Sequence, residues 1–174
     1  MTISNLQDAQ RLGLEVIEIT MPELFAGISR KATTENHFKI AQELASEFAN
    51  VQPSLRHRSS IHVTITLTGT KAASGEFDYF IGEKVLKASQ EKGVDLVSLE
   101  PGLYAQLRVK KNPSFLLGWR LARVRKTFYA KFLPSSPYEK SERFDEMEYY
   151  GYESQLHPAR AQSMTLLIPL KLKS

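Results

Sequence analysis

Apolar positions change their period along this chain, and the changes mark its elements. Leu14-Glu15-Val16-Ile17-Glu18-Ile19 alternates partly, and after Met21-Pro22 an apolar stretch resumes as Leu24-Phe25-Ala26-Gly27-Ile28. Both read as strand, interrupted at the proline. From Glu35 to Val51 the period lengthens. Phe38, Ala41, Leu44, Ala45, Phe48 and Val51 recur at helical steps, predicting a helix with one buried face. Pro53 stops it. Ile61 to Leu67 returns to period two and is rich in β-branched residues, the pattern of a half-buried strand. Gly69 to Gly75 is a turn-rich connection, and Phe77-Asp78-Tyr79-Phe80-Ile81 begins a returning strand.

The second half follows the same plan. Val94 to Lys110 reads as strand with a break at Pro101-Gly102, and Pro113 suits the first turn of a helix. That helix buries Leu117, Leu121, Val124, Phe128 and Phe132 and is expected to end before Pro134. After a polar connection from Ser135 to Phe144, Glu146–Tyr152 and Met164–Leu172 complete the unit as strands. Pro169, flanked by Lys171 and Lys173, gives the last one the pattern of an edge strand. Pro22-Glu23-Leu24-Phe25-Ala26 is also echoed by Pro101-Gly102-Leu103-Tyr104-Ala105, each after a strand and each before a helix. The chain therefore reads as one strand-helix-strand-strand unit used twice. The expected fold is α+β: two pseudo-twofold-related repeats forming one mainly antiparallel curved sheet, with two long helices on one face. Residues 1–12 would be a tail or short helix capped by Ser4, and 13–174 a single domain with repeats at about 13–88 and 93–174. A groove between the halves, near the pseudo-twofold axis, is the expected place for a small-molecule site.

Composition narrows the chemistry. The chain has 174 residues and no cysteine, which excludes disulfides, thiolate catalysis and Cys-ligated zinc. Its start is not a signal peptide, and no apolar run is long enough for a membrane span, so a soluble cytoplasmic protein is expected. With 23 Lys and Arg against 19 Asp and Glu the formal charge is +4. Much of the excess lies on or beside the second helix, at Lys110, Lys111, Arg120, Arg123, Arg125 and Lys126. The solvated face of an amphipathic helix accounts for it better than a nucleic-acid footprint does.

Asp145-Glu146-Met147-Glu148-Tyr149-Tyr150-Gly151-Tyr152-Glu153 is the chemically richest stretch. In a strand, Glu146, Glu148, Tyr150 and Tyr152 share one face and Met147 and Tyr149 the other. A carboxylate among aromatic rings is what a lipophilic cation wants. A solvent-facing acidic edge with surface tyrosines would carry the same residues. Trp119 either widens the core face of its helix or looks into the groove. His37, His57, His62 and His157 show no spacing for a shared metal, and no phosphate loop, nucleophile elbow or cofactor motif is present.

The run Gly75-Glu76-Phe77-Asp78-Tyr79-Phe80-Ile81-Gly82 resembles a signature of the GyrI-like effector-binding domains, gyrase-inhibitor-like modules found in multidrug regulators of bacteria and as stand-alone proteins. Phe25-Ala26-Gly27-Ile28-Ser29, Pro101-Gly102-Leu103-Tyr104-Ala105, Trp119, Leu133-Pro134 and Ile168-Pro169-Leu170-Lys171 agree with it in order and spacing. The resemblance implies the same duplicated fold and a pocket between the halves that accepts bulky aromatic cations. Met147-Glu148-Tyr149-Tyr150 matches the family's Phe-Glu-x-Tyr pattern, with Met in place of Phe, which implies Glu148 as the pocket carboxylate. Tyr150, Tyr79, Tyr104, Trp119 and Met147 are then the expected ligand-binding residues around it. No helix-turn-helix segment precedes the domain, so specific DNA binding by the chain alone is not expected. The leading expectation is a non-enzymatic binding module for lipophilic cations that needs no cofactor. A protein-interaction module, partnering a transcription regulator or gyrase, and a hydrolase of reactive small molecules remain the alternatives.

Overall fold

The computed structural model describes residues 13–110, 116–150 and 163–173. Alternating residues build β1 (Leu14–Ile19) and β2 (Glu23–Ala32), and α1 (His37–Val51) follows, closed by a 3-10 turn at Gln52–Ser54. β3 (Thr64–Thr68) and β4 (Phe77–Val85) complete the first repeat. β5 (Asp95–Leu99), β6 (Gly102–Lys110) and α2 (Leu117–Thr127) open the second. α2 runs on through a π turn at Phe128–Phe132 and a last α turn at Leu133–Ser135. β7 (Tyr138–Lys140), β8 (Glu146–Tyr150) and β9 (Ser163–Leu172) end the described chain. The expected N-terminal helix with Ser4, the helix start at Pro113, Tyr152 and His157 lie outside the described residues.

All strands join one antiparallel sheet in the order β1-β6-β9-β8-β3-β4-β2-β5, with β7 beside the end of β9. The order is that of a twofold object. β6-β9-β8 mirrors β2-β4-β3, and β3 and β8 pair with each other at the centre. Each repeat's leading strand crosses over, β1 pairing with β6 and β5 with β2. Thr66 lies opposite Ile81 in β4 and Glu148 lies opposite Leu166 in β9, the corresponding places in the two repeats. Thr66 and Glu148 are also each other's partners. The pseudo-twofold axis therefore passes through that one pair.

Register fixes the faces. Leu44 and Phe48 of α1 pack with Ala26, Ile28 and Val85, while Leu121, Val124, Phe128 and Phe132 of α2 pack with Ala105, Leu107, Leu166 and Ile168. Both sets lie on the face that carries Thr66 and Glu148, so the helices share it. The other face holds a third cluster of Phe25, Ile65, Phe80, Tyr104, Met147 and Leu167. Ile17 and Ile19 of β1 and Val97 and Leu99 of β5 also belong to it, so the two outer strands curl over the centre of their own sheet. Each fully buried Phe or Leu there contributes about 1.5–3 kcal/mol. Two of the family-like motifs meet in this curl. Gly27 lies opposite Gly82, and a Cβ on Gly27 would stand 1.9 Å from the Ile81 carbonyl oxygen. Only glycine allows that approach.

Four expectations are corrected. Pro169 does not mark an edge: β9 is flanked by β6 on one side and by β8 and β7 on the other. The Pro169 carbonyl accepts from Ser141 N at 2.9 Å, so its nitrogen faces that same side, in the gap between the β8 and β7 ladders, where no donor is required. The helix does not stop before Pro134, because the π turn carries it past the proline. α1 starts two residues later than Glu35, and Phe38 and Ala45 are exposed, only Leu44 and Phe48 being buried. β3 begins at Thr64, leaving Ile61 exposed.

A buried carboxylate ties the 57–63 segment to the sheet. Glu83 has no exposed surface and accepts from Arg58 at 3.0 and 2.9 Å, from Gln52 at 2.7 Å, and lies 2.6 Å from His62 Nδ1. Burial alone would raise its pKa, but the hydrogen bonds from Arg58, His62 and Gln52 outweigh it and hold the carboxyl below the ordinary range. As the pH falls, the unfolded chain therefore takes up this proton first. The stabilisation is complete above the ordinary carboxylate range and is lost as the pH drops through it towards the folded-state value. Glu83→Gln is expected to cost about 2–3 kcal/mol at pH 7, because it leaves the half-buried Arg58 poorly paired. Urea unfolding at pH 7 and pH 3 should show the gap between wild type and variant shrinking at the lower pH. An unchanged gap would contradict the assignment.

Candidate functional site

Between the two helices the sheet presents a floor of three rows, read directly from the register. Across β8, β3 and β4 these are Tyr150–Thr64–Glu83, Glu148–Thr66–Ile81 and Glu146–Thr68–Tyr79. Residues two apart in a strand point the same way, so all nine face the helix side. The two repeats are chemically unequal here. Where β3 supplies Thr64, Thr66 and Thr68, the corresponding places in β8 carry Glu146, Glu148 and Tyr150.

Glu148 sits on the axis and is 22% exposed. Its Oε2 accepts from the Tyr150 hydroxyl at 2.6 Å and from Thr66 Oγ1 at 3.2 Å, which fixes the carboxylate's orientation. Its Oε1 lies 3.7 Å from the Arg125 guanidinium. Arg125 makes its main contact with Glu146, through Nε to Oε2 at 2.9 Å and a second nitrogen to Oε1. This two-pronged geometry is the strong form of an ion pair. At 100° per residue, Gly118, Ala122, Arg125 and Tyr129 share the flank of α2 that leans over β8.

The tyrosines are apolar walls with polar tips. Burial first, then the charge and acceptor oxygen of Glu148, raise the Tyr150 pKa far above its ordinary value. Burial also raises that of Tyr79, with a smaller opposing effect of its hydrogen bond with Thr66 and further raising by Glu148 and Glu146. Tyr129 is pushed up to about 12 by burial and then by Glu146 and Asp145. All three rings stay neutral hydrogen-bonding groups at physiological pH.

Of the residues expected around a ligand, Glu148, Tyr150 and Tyr79 are brought together on this floor. Tyr104 and Met147 are not. Both have no exposed surface and lie in the cluster on the opposite face. Tyr104 corresponds to Phe25 of the first repeat, and its hydroxyl is held by the Glu100 carbonyl and Arg143. Met147 is odd-numbered in a strand whose even-numbered residues face the helices, so its place follows from strand parity. Trp119 is 60% exposed on the solvent side of α2, with the Arg123 guanidinium 5.5 Å from its ring centre, and it joins neither the core nor the floor. Sequence reasoning missed Arg125, Thr66 and Tyr129. In sequence Arg125 belongs to the basic stripe of the second helix, and no local signal sets it apart from Arg123 and Lys126. Among the described residues no group of three or more His, Asp or Glu could hold a metal ion, and no helix is long and apolar enough to cross a membrane.

No protein-family model matches the chain, and no curated protein matches it in sequence. Solved structures do share its fold. SAV2435 bound to tetraphenylphosphonium superposes with a TM-score of 0.63 at 11% identity, covering 91% of this chain and 93% of that one. The EcmrR C-terminal domain gives 0.53 at 12% identity, covering 92% and 98%. An integron cassette protein from Vibrio cholerae gives 0.56 at 11% identity, covering 91% and 95%. At such identities the likeness is one of fold, and it is the fold that the GyrI-like resemblance implied.

The Tyr150–Glu148 contact has a spectroscopic consequence. Glu148→Gln keeps an acceptor for the Tyr150 hydroxyl but removes the negative charge that helps hold its proton on, so the Tyr150 pKa should fall while burial keeps it above the ordinary tyrosine value. NMR titration of the Tyr150 resonance, assigned with Tyr150→Phe, measures this. A rise, or no change, would mean that the two groups do not interact as described.

Proposed function

We propose that this protein reversibly binds lipophilic aromatic cations in the groove over the pseudo-twofold axis, with Glu148 as the counter-charge. The observation that carries the reading is the setting of Glu148: a mostly covered carboxylate on the axis, oriented by Tyr150 and Thr66 between two helices. A cation entering there meets a fixed negative charge and aromatic rings whose faces attract positive charge by about 0.5–2 kcal/mol each. A neutral molecule of the same shape desolvates the carboxylate without pairing it, which costs affinity. The shared fold with a protein bound to tetraphenylphosphonium supports the same choice of ligand.

Binding rather than turnover is proposed: the ligand leaves unchanged. A sensor role is proposed with it, in which occupancy of the groove is passed to a regulatory protein partner. Specific recognition of DNA by this domain alone is not part of the proposal.

Tetraphenylphosphonium is expected to bind with a micromolar dissociation constant, on the order of −8 kcal/mol. Glu148→Gln keeps the acceptor for Tyr150 but removes the charge. It should weaken the cation about tenfold to a hundredfold while leaving triphenylphosphine oxide, an uncharged analogue, unaffected or slightly tighter. Calorimetric titration of both proteins with both compounds decides the matter. Equal affinity of wild type and variant for the cation would overturn the proposal.

A further inference from the structure

We infer that Arg125 sets the charge class of the ligand: by holding one of the two floor carboxylates it restricts the groove to singly charged cations, and without it the groove takes dications. The inference rests on the proposed binding of cations at Glu148 and adds to it the residue that decides how much positive charge is accepted.

The described charged groups that face this part of the molecule are paired off. Glu83 is matched by Arg58, Asp145 by Lys140, and Glu43 and Glu47 of α1 by Arg30 and Lys39. What remains is Glu146, Glu148 and Arg125, two formal negative charges against one positive. Arg125 is committed to Glu146 by its two-pronged contact and reaches Glu148 only at 3.7 Å, too far for a hydrogen bond. The guanidinium is always charged, and although burial works against its charge, the hydrogen bond and charge of Glu146 and the charge of Glu148 raise its pKa further. Among the described residues one unbalanced negative charge is left, at Glu148. A monocation neutralises it. The second charge of a dication would have to sit near Glu146, where the guanidinium already is.

The same side chain could be read as a mere fastener of α2 to β8, and the test separates the two roles. Ethidium and propidium share one planar aromatic cation, and propidium adds a second, tethered charge. Fluorescence titration of the full chain should show wild type favouring ethidium at least tenfold. Arg125→Gln should shift the ratio towards propidium by tenfold or more, and Arg125→Lys, which keeps the charge but not the fork, should retain the wild-type preference. A second variant guards against misfolding. Glu146→Gln keeps Arg125 but leaves it with Glu148 alone, so the floor becomes formally neutral and both dyes should weaken at least tenfold. An unchanged ethidium-to-propidium ratio in Arg125→Gln, or Arg125→Lys behaving like Arg125→Gln, would overturn this inference and leave cation binding standing. Failure of wild type to bind either dye or tetraphenylphosphonium would overturn both.

Discussion

The antiparallel pairing of β3 with β8 is the constraint on which the rest of this structure depends. Along the sheet's hydrogen-bonded path it is the one ladder that joins β2-β4-β3 to β6-β9-β8, and its middle pair, Thr66 and Glu148, lies on the pseudo-twofold axis. Because the side-chain period of a strand is two, a slip of one residue would turn Glu148 into the opposite cluster and Met147 out between the helices. The apolar residues of β3 and β8 on that opposite face, Ile65, Leu67 and Met147, are buried together and forbid the slip. Burial on one face thus positions the polar groups on the other.

Duplication accounts for the scaffold, and its breaking accounts for the chemistry. Ala26 and Ala105 give both helices the same flat seat, and Phe25 and Tyr104 fill corresponding places beneath the sheet. At the floor the repeats part company, with three threonines from one and Glu146, Glu148 and Tyr150 from the other. Threonines offer hydrogen bonds at little volume, while the other strand brings the charge and the ring. A strictly symmetric floor would have brought four carboxylates together, where mutual repulsion opposes their ionisation. The second repeat's own helix supplies the only described guanidinium in contact with these carboxylates, Arg125, so charge and partner come from one half of the molecule.

Most of the scaffold was legible because it is written locally. Period two and period 3.6 mark β2, β4, β6 and both helices, and the Pro-x-Leu-aromatic-Ala echo announced the repeat before any pairing was known. What was not legible depends on contacts far apart in the chain. The tolerance of Pro169 in an inner strand comes from a gap between β8 and β7, which no window around Pro169 contains. Phe38 and Ala45 lie roughly 80–100° round α1 from the Leu44–Phe48 line that meets the sheet, so they face solvent. At the site, strand parity alone grouped Glu148 with Tyr150 and excluded Met147, and the motif match that nominated Met147 ran against it. Arg125 shows the opposite case. Its sequence neighbours place it in a solvated basic stripe, and only the azimuth of α2 over β8 turns it inward.

The central claim is that the axis between Thr66 and Glu148 is where a lipophilic cation rests. Anomalous diffraction from a crystal grown with tetraphenylarsonium tests it most directly, because the arsenic atom marks the positive centre itself. The account predicts one dominant peak between α1 and α2, about 4–6 Å from the Glu148 carboxylate, the range over which opposite charges act strongly on each other. A peak on the opposite face, or beside Trp119 on the outside of α2, would contradict it.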